Sequence, residues 1–148
     1  MEKKDSVVTP RIKKIDHIGI AVRSADEAAR FYAEALGLEA EHSEVVASQQ
    51  VRTVFLPVGE STLELLEATG PESPVAKHIE KRGEGIQHIC FEVEGLDEML
   101  RYLGARGAVI GEPVAKKGAH GMRVAFLHPK ATGGVLIELA EKGSTEET

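Results

Sequence analysis

The sequence predicts an α+β fold made of two β-α-β-β-β modules that together form a concave sheet. Three observations predict it. First, a stretch occurs twice: Asp16-His17-Ile18-Gly19-Ile20-Ala21-Val22 returns as Gln87-His88-Ile89-Cys90-Phe91-Glu92-Val93. Aligned on their histidines, the copies also share Ile, Val, Asp, Glu and Arg, and Phe31 falls on Tyr102. Second, each copy passes from an alternating run to a run of helical period, which is how a β-α unit reads. Third, each copy is followed at similar distance by a glutamate set in an apolar strand, Glu64 and Glu138. A repeat of this kind decides the architecture before any single element does.

The expected organisation is a polar tail over 1–14, one domain over 15–141 and a second tail over 142–148. Within the domain, module one covers 15–67, a connector 68–85 and module two 86–141. At 148 residues the chain can bury a substantial core without disulfides. Its single cysteine, Cys90, allows no disulfide within the chain and suits a reducing compartment. The net charge of −6 argues against broad nucleic-acid binding, which needs a basic surface. No apolar run approaches the roughly 18 residues of a membrane span, and the N-terminus lacks the apolar centre of a secretory signal. The expected location is the cytoplasm.

In order, Ile15 to Val22 alternates: Ile18, Ile20 and Val22 share one face, His17, Gly19 and Ala21 the other. That second face is small apart from the histidine, as if room were kept around it. Ser24 and Glu27 form a capping-box signature. The helix expected from Ala25 to Leu36 turns Ala28, Phe31, Tyr32 and Leu36 inward and ends at Gly37. Leu38 to Val46, Val51 to Val58 and Ser61 to Glu67 read as strands. Ser73-Pro74 is a strong helix start, serine as N-cap and proline at N1, with the helix running to about Arg82. Module two repeats the plan: strand Gln87 to Val93, helix Leu96 to Arg106, a weak strand Val109 to Val114, a basic glycine-containing loop 116–121, and strands Met122 to Leu127 and Val135 to Ala140.

His17 and His88 thus open the two modules, and Glu64 and Glu138 sit on their last strands. A lone strand histidine is usually a core or rim residue. A glutamate inside an apolar strand is harder to dismiss, because burying an unpaired carboxylate is costly. Two modules related by approximate two-fold symmetry would gather two imidazoles and two carboxylates. Such a donor set suits Mn, Fe, Co, Ni or Zn, and four protein ligands leave two positions for a chelating substrate. His42 and His78 read as surface residues. His120 and His128 lie in polar turns and could line a pocket. Lys116, Lys117, Arg123 and Lys130 read as a solvated face or, alternatively, an anion cradle. Cys90 reads as a small apolar filler.

This pattern resembles the vicinal oxygen chelate (glyoxalase-like) superfamily, and within it the methylmalonyl-CoA epimerase family. The resemblance covers about residues 14–141. It is carried by 16–22, by Leu63-Glu64-Leu65-Leu66, by 73–77 and 87–90, and most specifically by Gly118-Ala119-His120-Gly121 and by 126–139. It implies an isomerase that inverts C2 of methylmalonyl-CoA through a metal-stabilised enolate, as in propionate metabolism. It implies His17, Glu64, His88 and Glu138 as metal ligands, with Glu138 also the base. The implied cofactor is a divalent metal, cobalt first, with Mn, Ni, Zn or Mg as alternatives. The implied partner is an acyl-CoA, with His120 and Lys130 as substrate contacts, and the implied assembly a homodimer. Some relatives use a third-strand glutamate as second acid/base; here that position is Thr53, for which Glu44, Gln50 through a water, or a metal-bound water could substitute. Rival readings are a glyoxalase-type isomerase of a thiol adduct, a dioxygenase, and a non-catalytic binding module of the same fold.

Overall fold

A computed structural model describes residues 9–110, 115–117 and 121–143. Its elements are β1 (Arg11–Ala21), α1 (Ala25–Leu36), β2 (His42–Val46), β3 (Val51–Val58), β4 (Ser61–Ala68), α2 (Pro74–Arg82), β5 (Gly85–Glu94), α3 (Leu96–Ala105), β6 (Lys116–Lys117), β7 (Arg123–Leu127) and β8 (Leu136–Glu141). Its contacts divide the chain into two compact units. One is Asp16–Ile89; the other takes in the described residues before 16 and after 89. Strands β1 and β5 run through both.

In the first unit the strand order is β2-β3-β4-β1-β5. β4 lies parallel to β1, with Gly19 opposite Glu64, and antiparallel to β3, with Phe55 opposite Glu64. One face packs under α1: Val22, Ala25, Val54, Leu56 and Leu65 are buried there, with Ala28, Ala29 and Tyr32 against them. On the other face α2 covers part of the sheet, with Val75 and Ile79 on Ala21 and Leu66. The starts of both helices are as the sequence predicts. Ser24 Oγ accepts from Glu27 N at 3.1 Å, and Ser73 Oγ accepts from Val75 N at 3.1 Å with Pro74 at the first position. Gly37, at φ +72°, closes α1 in the left-handed region that favours glycine.

In the second unit the order is β1-β5-β8-β7-β6. β8 pairs antiparallel with β7, Glu138 opposite Phe126, and β7 with β6. Ile137 and Leu139 are buried on one face, together with Leu96 and Leu100 of α3.

Each unit also holds its helix to its sheet by the same three charges. In the first, Arg52 bonds Asp26 at 2.9 Å and lies 3.8 Å from Glu67, whose Oε1 accepts from Ala25 N at 2.9 Å. In the second, Arg123 bonds Asp97 and lies 3.3 Å from Glu141, whose Oε2 accepts from Gly95 N at 3.0 Å. The carboxylate thus satisfies an N–H at the helix start that has no partner inside the helix. The Asp97 hydrogen bond raises the Arg123 guanidinium above its ordinary pKa.

Four expectations need correction. Lys116–Lys117, expected within a loop, form β6 because they pair antiparallel with Val124 and Arg123 of β7. The first strand begins at Arg11, not Ile15, because its charged residues pair with β5: Arg11 to Glu94 at 2.8 Å and Lys13 to Glu92 at 3.4 Å. Phe31 and Leu36 point outward, about three-fifths exposed, because the small residues Ala28 and Ala29 let α1 lie close to the sheet. Residues 38–41 are not strand; pairing with β3 starts where Glu41 N donates to Phe55 O at 2.8 Å. The weak strand over 109–114 falls largely outside the described residues, but Val109 bridges Leu127.

Candidate metal centre

Alternation along β1 and β5 places His17 and His88 on the unit's ligand-bearing face. Their Nε2 atoms lie 3.1 Å apart, the rings edge to face with centroids 5.1 Å apart. Each ring is fixed from behind by the residue before it. His17 Nδ1 donates to Asp16 Oδ2 at 2.8 Å, and His88 Nδ1 donates to Gln87 Oε1 at 2.8 Å. With both Nδ1 atoms carrying the proton, two Nε2 lone pairs face one another. Nitrogens so close are held by a proton shared between them or by a metal ion bound to both. An acceptor behind an imidazole is also the usual outer support of a metal ligand, since it sets the tautomer and raises the basicity of the other nitrogen.

Gly19 makes the arrangement possible. A Cβ there would meet His88 Cε1 at 2.3 Å and Nδ1 at 2.6 Å. The room kept beside His17 is taken by the second imidazole.

Glu64 is half-buried on β4, directly opposite Gly19 in the register, and its Oε2 lies 3.5 Å from His17 Nδ1. That is the outer nitrogen. To share a cation with the Nε2 atoms, Glu64 must turn about its side-chain bonds. The structure therefore brings His17, Glu64 and His88 together, and the donor chemistry fits a divalent ion of borderline softness. Both imidazoles belong to side-chain groups able to hold a metal.

Glu138 is placed on β8 of the other unit, half-buried, on the face opposite Ile137 and Leu139. The large cavity of that unit, about 860 Å³, is lined by Ile137 and Leu139 with Met99, Tyr102 and Leu103 of α3. It lies on the face away from Glu138 and is apolar, so it offers this chemistry nothing. Lys130 is exposed in a short 3₁₀ turn over Pro129–Ala131, its N–H donating to His128 Nδ1 at 3.1 Å. His120 lies outside the described residues. Cys90 is fully buried.

Sequence reasoning missed the two acceptors, Asp16 and Gln87. The available signal was that both copies of the repeat place an oxygen-bearing side chain directly before the histidine. It also missed Glu92, a buried carboxylate with Lys13 at 3.4 Å and Lys142 at 3.9 Å.

The profile of the glyoxalase/bleomycin resistance protein/dioxygenase superfamily matches residues 16–126. An ethylmalonyl-CoA/methylmalonyl-CoA epimerase of Cereibacter sphaeroides is 39% identical over 134 residues, covering 88% of this chain and 98% of the relative. The chain belongs to this superfamily, in its methylmalonyl-CoA epimerase family. The solved epimerase of Mycobacterium tuberculosis superposes with a TM-score of 0.80 at 35% identity, over 95% of each chain. A variant of the Streptomyces coelicolor epimerase, solved with 2-nitronate-propionyl-CoA, gives 0.79 at 37% identity, over 90% of this chain and 97% of that one. The expected superfamily and fold class therefore hold. Among the described residues, no helix is long and apolar enough to cross a membrane.

Proposed function

We propose that this protein interconverts the 2R and 2S forms of methylmalonyl-CoA by proton transfer at C2, using a divalent metal, cobalt first among the candidates, held by His17, His88 and Glu138 together with Glu64. The observation that carries the proposal is the pair of facing Nε2 atoms, each imidazole backed by an acceptor. The family relatives support the substrate. The nitronate on the Streptomyces relative is a planar anion with the charge distribution of an enolate, as expected of a fold adapted to that species.

A bound divalent ion supplies Lewis acidity to the thioester carbonyl and the carboxylate of the substrate. The chain's own residues do the rest. Asp16 and Gln87 hold the two imidazoles in the tautomer that presents Nε2. Glu138 takes the C2 proton on a carboxylate oxygen and returns it in the reverse direction. Glu64 adds a second negative charge, which favours retention of a dication. On the same reading, the protein acts on an acyl-CoA in the cytoplasm as a homodimer.

The test is the rate of inversion of each pure epimer by protein treated with chelator, then given Co(II). Inversion should be lost and then restored, and Glu138→Gln should lower it by ~10²–10⁴-fold. Full inversion by chelated protein, or by the Gln variant, would refute the proposal.

A further inference from the structure

Inversion at carbon needs two proton carriers. If one carboxylate removed and returned the proton on one face of the planar enolate, configuration would be retained. The second carrier must stand on the opposite side and must titrate. Thr53 does not: it is buried on β3 and its hydroxyl carries no labile charge near neutrality.

The strand register shows what faces the site instead. Partners directly opposite in a sheet point to the same face. Gly19, Glu64, Phe55 and His42 form one such row across β1, β4, β3 and β2, and Ala21, Leu66, Thr53 and Glu44 form the next. His42 and Glu44 therefore share a face with Glu64 and with the glycine beneath the His88 ring. His42 is stacked on Phe55, centroids 4.4 Å apart and planes within 13°. Its Nε2 donates to Glu44 Oε2 at 3.3 Å. The second carboxylate near the ring, Glu41, is 3.7 Å from Nδ1, beyond hydrogen-bond distance.

We propose that His42 is the second proton carrier of the epimerisation, a role that rests on the epimerase reading above. Glu44 and Phe55 are its positioning residues. Glu44 takes the hydrogen bond from Nε2 and leaves Nδ1 to exchange protons, the arrangement of a base oriented by a third group. Phe55 fixes the plane of the ring and bridges the register between His42 and Glu64. In one direction the imidazolium Nδ1–H gives its proton to C2. The electron pair of the enolate C=C becomes the new C–H bond, the carbonyl reforms, and the neutral ring regains a proton from solvent. In the other direction neutral Nδ1 removes the C2 proton and the enolate is protonated by Glu138. An imidazole suits this exchange because its charge changes nearest neutral pH.

The experiment follows each pure epimer in deuterated water with metal-loaded wild type, His42→Gln and Glu44→Gln. Wild type should put deuterium into both epimers and invert both. His42→Gln, with unchanged metal content, should invert at least ~100-fold more slowly. It should still exchange the C2 proton of one epimer, with retention, because Glu138 remains. Glu44→Gln should show a smaller loss in kcat with little change in KM. Wild-type inversion by His42→Gln, or equal loss of exchange from both epimers, would overturn the role of His42 and leave the epimerase reading standing. A wild type that neither exchanges nor inverts would remove that reading, and this proposal with it.

Discussion

A methyl group at Gly19 would sit within 2.3 Å of the His88 ring, so this position decides whether the second imidazole can reach the first. Gly19→Ala should push His88 out of line and lower metal affinity by about ten- to a hundredfold, the usual cost of disturbing a ligand's support. Titration with Co(II), read by its visible absorption, measures this. Unchanged affinity would mean that the ring moves freely. At this scale much of the site was legible. Histidines in alternating runs and glutamates among leucines are costly placements, and they repeat. Asp16 and Gln87 were not legible, because neighbours on a strand point to opposite faces and are not expected to bond. Their side chains reach around the strand to do so. Glu92 showed the same pattern as Glu64, but its lysine partners are remote in sequence and could not be named from it.

At the scale of elements, the Arg-Asp-Glu clasp is what the repeat conserves beyond its first strand. Glu67 and Glu141 each stand three residues beyond Glu64 and Glu138, on the opposite face of the same strand. Each clasp therefore ties the glutamate-bearing strand to the start of its helix. The arginines are part-exposed, so the ion pairs alone contribute up to about 1 kcal/mol. The carboxylates also satisfy a helix-start N–H, so Glu67→Ala and Glu141→Ala should each cost about 1–2 kcal/mol. Urea unfolding should show midpoints falling in that order, carboxylate variants below Arg52→Met and Arg123→Met. Equal, negligible shifts in all four would show that the clasps carry no stability. The helices were readable because their caps are local: Ser24, Ser73 and Gly37 act within a few residues. The start of β1 was not, since Arg11 and Lys13 read as solvent until their partners on β5 are known. The outward Phe31 and Leu36 were misread because helical period alone does not say how wide the buried stripe is.

In the whole molecule, a repeat, two copies of a histidine-then-glutamate order and membership of an epimerase family converge on one reaction. The repeat set the element order in advance; β1 to β4 with α1 follow it, and after α3 the next described strand lies at Lys116–Lys117, where the sequence reads as a loop. The substrate was legible only through resemblance, because two imidazoles and two carboxylates serve several chelate chemistries alike. The central claim is proton transfer at C2 under metal control. Its most direct test is to incubate either epimer of methylmalonyl-CoA with the Co(II)-loaded wild-type protein in deuterated water and follow C2 by NMR and mass. Deuterium is expected at C2 of both epimers, with each approaching a mixture of the two, and both effects are expected to be lost on chelation. Absence of exchange with every divalent metal tried would contradict the claim.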